Sequence, residues 1–266
     1  MIVEILCIGN ELLLGITLNT NSHWLCSQVT NVGGGVVRRV TVVRDEISEI
    51  SSAIRESLAR NPDILITTGG LGATYDDMTF EGMAIALGKK VVLDSRAVKM
   101  LKKSYSMRKL HYELTKSRLK MATIPEGFTP IQNPVGSAPA IMKQAGITLI
   151  FCLPGVPSEM KTIFEEHILP PIMKGVGKFA AEEINYNVRG ISEAMIAPAL
   201  IEIIKSHPKN TIYLKTHPLG YYRKKTPQIR IQMISRGDDK KEVKKRLAKM
   251  AKVIENEIVK LNGTIC

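Results

Sequence analysis

The sequence predicts an α/β protein: a mostly parallel sheet with helices on both faces, followed by a small α+β layer. Three observations carry that expectation. Apolar runs of strand length alternate with helical segments through short turns, the pattern of parallel strands joined by crossover helices. The runs 2–8 and 147–153 are apolar almost throughout, as strands covered on both faces are. Beyond residue 178 the order becomes strand, helix, strand, strand, helix, which suggests a separate smaller layer. A chain of 266 residues with 44% hydrophobic residues can bury a sizeable core, in one large domain or two smaller ones.

Residues 2–8 read as the first strand, ending at Gly9-Asn10-Glu11. Thr20, Asn21 and Ser22 offer capping oxygens for a helix to about residue 29. Residues 36–43 form a second strand that carries Arg38 and Arg39. Asp45 is placed to cap the next helix, whose Ile47, Ile50, Ile54 and Leu58 share one face. The third strand, 64–67, is followed by a glycine-rich turn and a helix over 80–87. Residues 95–121 look helical and basic, and 125–127 and 133–139 read as turn-rich loops.

The strand 147–153 runs into Pro157-Ser158-Glu159, which opens a helix reaching His167. Pro170-Pro171 and Gly175-Val176-Gly177 mark the expected boundary between domains 1–172 and 178–266. The second domain holds strand 185–189, helix 192–206, strands 211–216 and 228–235, and helix 239–261. Pro198 is expected to kink or restart its helix. The last helix sets Val243, Leu247, Met250, Ile254 and Ile258 on one face and its lysines on the other, a solvated basic face.

Composition excludes several function classes. No apolar run approaches ~20 residues, so no membrane-spanning helix is expected. The chain enters a strand pattern at Met1-Ile2-Val3 with no basic leader, so a secretory signal is not expected either. Cys7, Cys26, Cys152 and Cys266 form no C-x-x-C pair, and Cys7 and Cys152 sit in apolar runs as small hydrophobes. That usage favours a reducing, cytoplasmic setting. His23, His111, His167, His207 and His217 have no spacing for a metal or a triad. The net charge of +12 suits an anionic partner, but it is spread along the chain and aromatic residues are only 5%, which disfavours nucleic acid.

The most informative stretch is Thr67-Thr68-Gly69-Gly70-Leu71-Gly72-Ala73-Thr74-Tyr75-Asp76-Asp77-Met78-Thr79. Three glycines between a strand and a helix let backbone N–H groups approach an anion. Two adjacent carboxylates there repel phosphate unless a cation lies between, so the turn suggests a phosphate-bearing ligand held with a divalent metal. The same turn also suits a plain α/β connection in which an Asp caps the helix. Glu11, Asp45 and Asp77 each follow a predicted strand, which sets three carboxylates on one rim of the sheet.

Gly9-Asn10-Glu11-Leu12-Leu13-Leu14-Gly15 with Asn19-Thr20-Asn21 resembles the opening motif of the competence-damage-inducible CinA family. The glycine turn 69–79 is similar to that family's GGLGPTxDDxT signature. Asn133-Pro134-Val135-Gly136-Ser137-Ala138-Pro139, Leu153-Pro154-Gly155-Val156-Pro157-Ser158-Glu159-Met160 and the shorter Gly190-Ile191-Ser192-Glu193 resemble further blocks of it. CinA-like proteins belong to the wider MoaB/MogA-like molybdopterin-binding superfamily. The resemblance implies a three-layer α/β/α first domain that binds molybdopterin or a nucleotide. It also implies a homo-oligomer, with dimers and trimers both known types.

The same resemblance implies roles for residues. Asp77 and Asp45 match the catalytic carboxylates, with Asp77 expected to bind the metal; Asp76 stands where the superfamily pattern has Arg and is read from the residues as a second metal ligand or as a group that supports the first. Ligand contacts are implied for Glu11, Asn21, Gly69, Gly70, Gly72, Thr74, Asp76, Thr79, Arg118, Asn133, Gly136, Ser137, Pro154, Gly155, Ser158 and Glu159. Departures stand at Ala73, where the family usually has proline, at Ala140, where it has glycine, and around Arg118-Leu119-Lys120. No segment after Cys266 supplies the family's amidohydrolase domain, so no nicotinamide-mononucleotide deamidase activity is expected.

Two mechanisms follow. A divalent cation (Mg²⁺, Mn²⁺ or Co²⁺) on Asp77, with Asp45 nearby, would bridge the oxygens of a pyrophosphate such as that of ADP-ribose for hydrolysis. Alternatively the site binds molybdopterin and a nucleotide for molybdenum-cofactor assembly, by adenylyl transfer or as a carrier. A third reading is a non-catalytic nucleotide-binding module whose output is a partner contact.

Overall fold

The computed structural model describes residues 1–107, 113–207, 211–222 and 226–266. Two compact units are present, Met1–Val176 and Gly177–Cys266. Among the described residues, no helix is long and apolar enough to cross a membrane.

The first unit runs β1 (Ile2–Ile8), α1 (Asn10–Leu13), α2 (Thr20–Ser27), β2 (Val36–Val43), α3 (Ile47–Ala59), β3 (Ile64–Thr68) and α4 (Thr79–Ala86). It continues through β4 (Val91–Leu93), α5 (Ser95–Met107), α6 (Lys116–Lys120), β5 (Thr123–Pro125), β6 (Thr129–Ile131), β7 (Ala140–Ala145), β8 (Thr148–Leu153), α7 (Pro157–Ile163) and α8 (Leu169–Val176). Six strands form one sheet in the order β2-β1-β3-β8-β7-β6. The first four are mutually parallel, and β7 and β6 extend the sheet antiparallel.

Side-chain alternation along the central strands builds the three layers. Leu6 and Ile8 of β1, Leu65 of β3, and Ile150 and Cys152 of β8 join Ile50, Ile54, Met83 and Leu101 from α3, α4 and α5 in one core. Val3, Ile5 and Cys7, Ile64 and Ile66, and Phe151 and Leu153 join Leu25, Met160, Ile163 and Ile172 from α2, α7 and α8 in the other. The near-continuous apolar runs are therefore divided between two cores, one per face.

Register sets the site. Cys7 pairs with Thr68, Thr68 with Leu153, and Ile8 with Val43, so the carboxyl ends of β2, β1, β3 and β8 lie side by side. Below that edge, Glu4 is 2% exposed on β1. Its carboxylate accepts from Ser57 Oγ at 2.8 Å and from Arg60 Nη2 at 2.8 Å. Burial pushes the Glu4 carboxyl up, but the hydrogen bonds and charges of Arg60, Ser57 and Arg38 outweigh it and hold it below the ordinary range.

The second unit runs β9 (Ala180–Arg189), α9 (Glu193–Lys205), β10 (Ile212–Tyr222), β11 (Thr226–Gly237), α10 (Lys240–Lys260) and β12 (Thr264–Ile265). Its sheet, β10-β11-β9-β12, is antiparallel throughout. Asp239 caps α10 by accepting from the N–H groups of Lys241 and Glu242. Val243, Leu247, Met250, Ile254 and Ile258 are all buried, as the helical spacing predicts.

Several expectations are corrected. Asp45 does not cap α3, and neither Asp76 nor Asp77 caps α4, whose first flanking residue is Met78 without a side-chain cap. Asn19, not the 20–22 trio, caps α2 through the Ser22 N–H. The basic segment is two helices, α5 and α6; residues 108–112 of the expected helix, with His111, lie outside the described residues. Pro170 and Pro171 stand inside α8, which continues without a gap from α7 through a π-helical turn at Phe164–Ile168, and the two compact units divide at Val176/Gly177. Helix α9 runs through Pro198 as one element, tied down by buried Ile196, Leu200 and Ile203.

Candidate functional site

The aligned strand ends open into a cleft of about 530 Å³. Each strand contributes a loop, and each loop brings a carboxylate or its support. After β1, Glu11 reaches the cleft from an exposed first turn. After β2, Asp45 turns back across the sheet edge, and its Oδ2 accepts the Asn10 N–H at 2.7 Å. Burial pushes the Asp45 carboxyl up, and the charges of Glu11, Asp76 and Asp77 add to the rise against the Asn10 hydrogen bond. The four carboxylates thus feel one another across three loops.

After β3, the glycine turn is shaped by close approach. Gly69 has φ +107, and a Cβ there would lie 2.1 Å from the Ile8 carbonyl oxygen. Gly70 has φ +66 with Asp45 Oδ1 alongside. Only glycine meets both demands. Thr79 braces the turn from beneath: its hydroxyl donates to Gly69 O at 2.8 Å and its N–H to Gly70 O at 3.2 Å. Asp77 folds back into the turn, where its Oδ2 accepts the Thr74 N–H at 2.8 Å and the Thr74 hydroxyl at 2.5 Å. The same hydroxyl lies 2.6 Å from Asp76 Oδ1. Its hydrogen bond, with the Lys120 charge as a smaller contribution, holds the Asp76 carboxyl below the usual range.

After β8, Glu159 enters from the first turn of α7 and is held by the loop before β7. Asn133 is 2% exposed. Its Nδ2 donates to Glu159 Oε2 at 2.7 Å, while its Oδ1 accepts the Gly136 N–H at 2.6 Å. A Cβ on Gly136 would lie 2.0 Å from the Glu159 carboxyl. Asn21 ties the opposite wall, donating to Gly155 O at 2.8 Å and Thr68 Oγ1 at 3.2 Å. The other end of that amide, Asn21 Oδ1, is buried with no hydrogen-bond partner.

The structure therefore brings together Glu11, Asn21, Asp45, Gly69, Gly70, Gly72, Thr74, Asp76, Asp77, Ser137, Pro154, Gly155 and Glu159 on one cleft. Thr79, Asn133 and Gly136 do not line it and act behind the wall. Ser158 is exposed on α7 and its carbonyl accepts from Thr162. Arg118 does not reach the cleft: its guanidinium donates to Glu113 O at 2.7 Å and sits over the Tyr105 ring at 5.0 Å. Its neighbour Lys120 is the cation that meets the turn, donating to Thr74 O at 2.8 Å. Asn10 and Asn19 carry positioning roles that lie within the first motif, and Thr68 closes β3 by donating to Pro154 O at 2.9 Å.

Two properties decide what this arrangement can do. Five carboxylates line the cleft and, among the described residues, no lysine, arginine or histidine does, in a chain of net charge +12. Among the described residues, no three acidic, cysteine or histidine side chains converge on a point that would cage a metal ion. A donor set of one or two carboxylates per ion, open to water and ligand oxygens, fits Mg²⁺-type binding on a phosphate rather than an all-protein metal cage.

Comparison with known proteins places the chain. Residues 4–174 match the family described as "Probable molybdopterin binding domain". A protein of Sulfurisphaera tokodaii is 43% identical over 263 residues, covering 98% of this chain and 97% of its own length. Protein PAE0875 of Pyrobaculum aerophilum is 42% identical over 248 residues, covering 92% and 90%. The crystal structure of the protein CinA from Thermoplasma acidophilum, of unknown function, aligns with a TM-score of 0.58 at 39% identity, covering 66% of this chain and 98% of that one. The chain belongs to the probable molybdopterin-binding domain family, with a CinA-like first unit.

Proposed function

We propose that the protein is a divalent-metal-dependent pyrophosphatase acting on ADP-ribose-like dinucleotides. The observation that carries the reading is the five-carboxylate cleft beside a glycine turn, with no basic side chain in its wall among the described residues. A pyrophosphate enters such a cleft only with its charge neutralised. Asp77 and Asp76 would hold the cation, which would neutralise phosphate oxygens and lower the pKa of a water.

The chain's own groups do the rest. The Gly69 N–H is taken by Leu153 O at 3.1 Å, so the later amides of the glycine turn would meet the charge that develops on phosphorus oxygens. Asp45 is a catalytic base: one oxygen is fixed by Asn10, and its raised pKa leaves the carboxylate better able to take a proton from an attacking water. Glu11 and Glu159 accept hydrogen bonds from sugar hydroxyls. Asn133 and Gly136 keep Glu159 in place.

The family description favours a second reading, a molybdopterin- and nucleotide-binding protein of cofactor assembly. In it the same carboxylates receive the pterin's N–H groups. The test separates the two. ADP-ribose, NAD, FAD and ATP are incubated with Mg²⁺, Mn²⁺ or Co²⁺, and AMP release is followed for wild type and Asp77→Ala. Metal-dependent cleavage of ADP-ribose that vanishes in Asp77→Ala supports the pyrophosphatase. No cleavage with any metal, while ATP or molybdopterin binds, replaces it with the second reading.

A further inference from the structure

A second hollow of about 570 Å³ adjoins the cleft, and Thr74 lines both. Its apolar wall comes from Ala73, Leu93, Leu119 and Tyr75, and its cations are Lys116 and Lys120. Tyr75 is 86% exposed, the most exposed of the described large apolar and aromatic side chains. Leu93 is 56% exposed beside it. An aromatic ring and a leucine left bare in one hollow mark a surface with something to cover it.

We propose that this hollow holds the planar heteroaromatic head of the ligand whose phosphates occupy the cleft. The proposal rests on the reading of the cleft as a phosphate site. Three observations select that occupant. Among the described residues no aromatic side chain lines the cleft, so a base or pterin ring finds no stacking partner among them. Tyr75 supplies that face next door, and stacking on tyrosine tolerates any flat ring.

Charge is divided in the same way. Carboxylates line the cleft, whereas the hollow offers Lys116 and Lys120. Lys120 already donates one hydrogen bond to Thr74 O, which leaves two donors on the same ammonium for a phosphate or ribose oxygen crossing the wall. Finally, Thr74 is anchored on both sides. Its N–H and hydroxyl bind Asp77, and its carbonyl binds Lys120, so the wall between the two spaces is fixed. A two-headed ligand would straddle it, phosphates on the carboxylate side and ring on the tyrosine side.

Adenine and pterin share this chemistry, and the test distinguishes them. Calorimetry on the full chain with Mg²⁺ uses ADP-ribose carrying a methylene in place of its bridging oxygen (called ADP-ribose below), which is not cleaved, with inorganic pyrophosphate, adenosine and a simple pterin as the other probes. Wild type is compared with Tyr75→Ala, Tyr75→Phe and Asp77→Ala. Tyr75→Ala should weaken ADP-ribose about tenfold, Tyr75→Phe should restore it, and pyrophosphate affinity should not move. Asp77→Ala should weaken both phosphate probes. Adenosine or pterin binding that is lost in Tyr75→Ala names the ring and supports the hollow even if pyrophosphate fails to bind, in which case only the cleft reading falls. Unchanged affinity of every ring-bearing probe in Tyr75→Ala, or no ring-bearing probe binding to wild type, overturns the proposal.

Discussion

Asp45 Oδ2 lies 2.7 Å from the backbone nitrogen of Asn10, which ties the loop after β2 to the loop after β1. One oxygen of Asp45 is thereby committed to structure, and the other is left toward Gly70 and the cleft. The residue carries a cost, because its pKa is raised by burial and by three neighbouring carboxylates.

Asp45→Asn should therefore stabilise the protein without metal. A raised carboxyl pKa means the fold favours the neutral form, so the charged form costs stability at neutral pH. Asparagine keeps an acceptor for Asn10 and removes the charge. The melting temperature in EDTA should rise by a few degrees, on the order expected for relief of one unfavourable charge contact in a domain of this size. Metal-dependent cleavage of ADP-ribose should fall at least ~100-fold in the same variant. A lower melting temperature in EDTA would contradict the repulsion argument.

The Glu4–Arg60–Ser57 cluster gives the pH dependence. Its folded pKa is depressed, so its stabilisation is present above the ordinary carboxyl value of 4.5 and is lost as pH falls through the folded value. Glu4→Gln should destabilise at pH 7 by about 1–3 kcal/mol, less than a fully buried pair because Arg60 is partly exposed. The gap between wild type and variant in urea unfolding should narrow from pH 7 to pH 4. A gap that holds constant would remove the ion pair from the account.

Gly136→Ala tests the Asn133–Glu159 latch. The clash is with the far end of a flexible side chain, so the fold should survive at a cost of about 1–2 kcal/mol for the displaced hydrogen bond. Ligand affinity should suffer more than stability. In a double-mutant cycle with Glu159→Ala, the effects of the two changes on stability should be strongly non-additive. Additive effects would mean that Gly136 matters for some other contact.

Thiol labelling checks the core. Cys152 is fully buried on β8 and its thiol is pushed up to about 12 by that burial, and Cys7 is buried and shifted upward for the same reason. In native protein at pH 8, iodoacetamide should modify the exposed Cys266 first, with Cys7 and Cys152 reacting only after unfolding. Mass mapping of rapid adducts to Cys152 would place β8 at the surface.

Much of the first unit was legible because its strands are long and apolar. Strands β1 and β2 appear at 2–8 and 36–43 as the patterning predicts, and the glycine turn joins β3 to α4. The antiparallel extension was not: β6 has three residues, one of them Pro130, and a turn-rich loop separates it from β7. Strand ends were readable, so Glu11, Asp45 and Asp77 could be set on one rim. What each carboxylate bonds to was not, because capping rules describe neighbours in sequence, while Asp45 is satisfied by Asn10, 35 residues away. Arg118 shows the same limit from the other side. A guanidinium near a phosphate motif is drawn instead by the Glu113 carbonyl and the Tyr105 ring.

The contrast between an acidic cleft and a net charge of +12 has a kinetic consequence. At long range the molecule attracts anions, while at the last few ångströms five carboxylates turn a bare one away. On the proposed reading entry should then be ordered: the cation arrives first or together with the anion, never after it. In rapid mixing, protein pre-incubated with metal should capture ligand at once, whereas protein pre-incubated with ligand in EDTA should gain nothing from the wait.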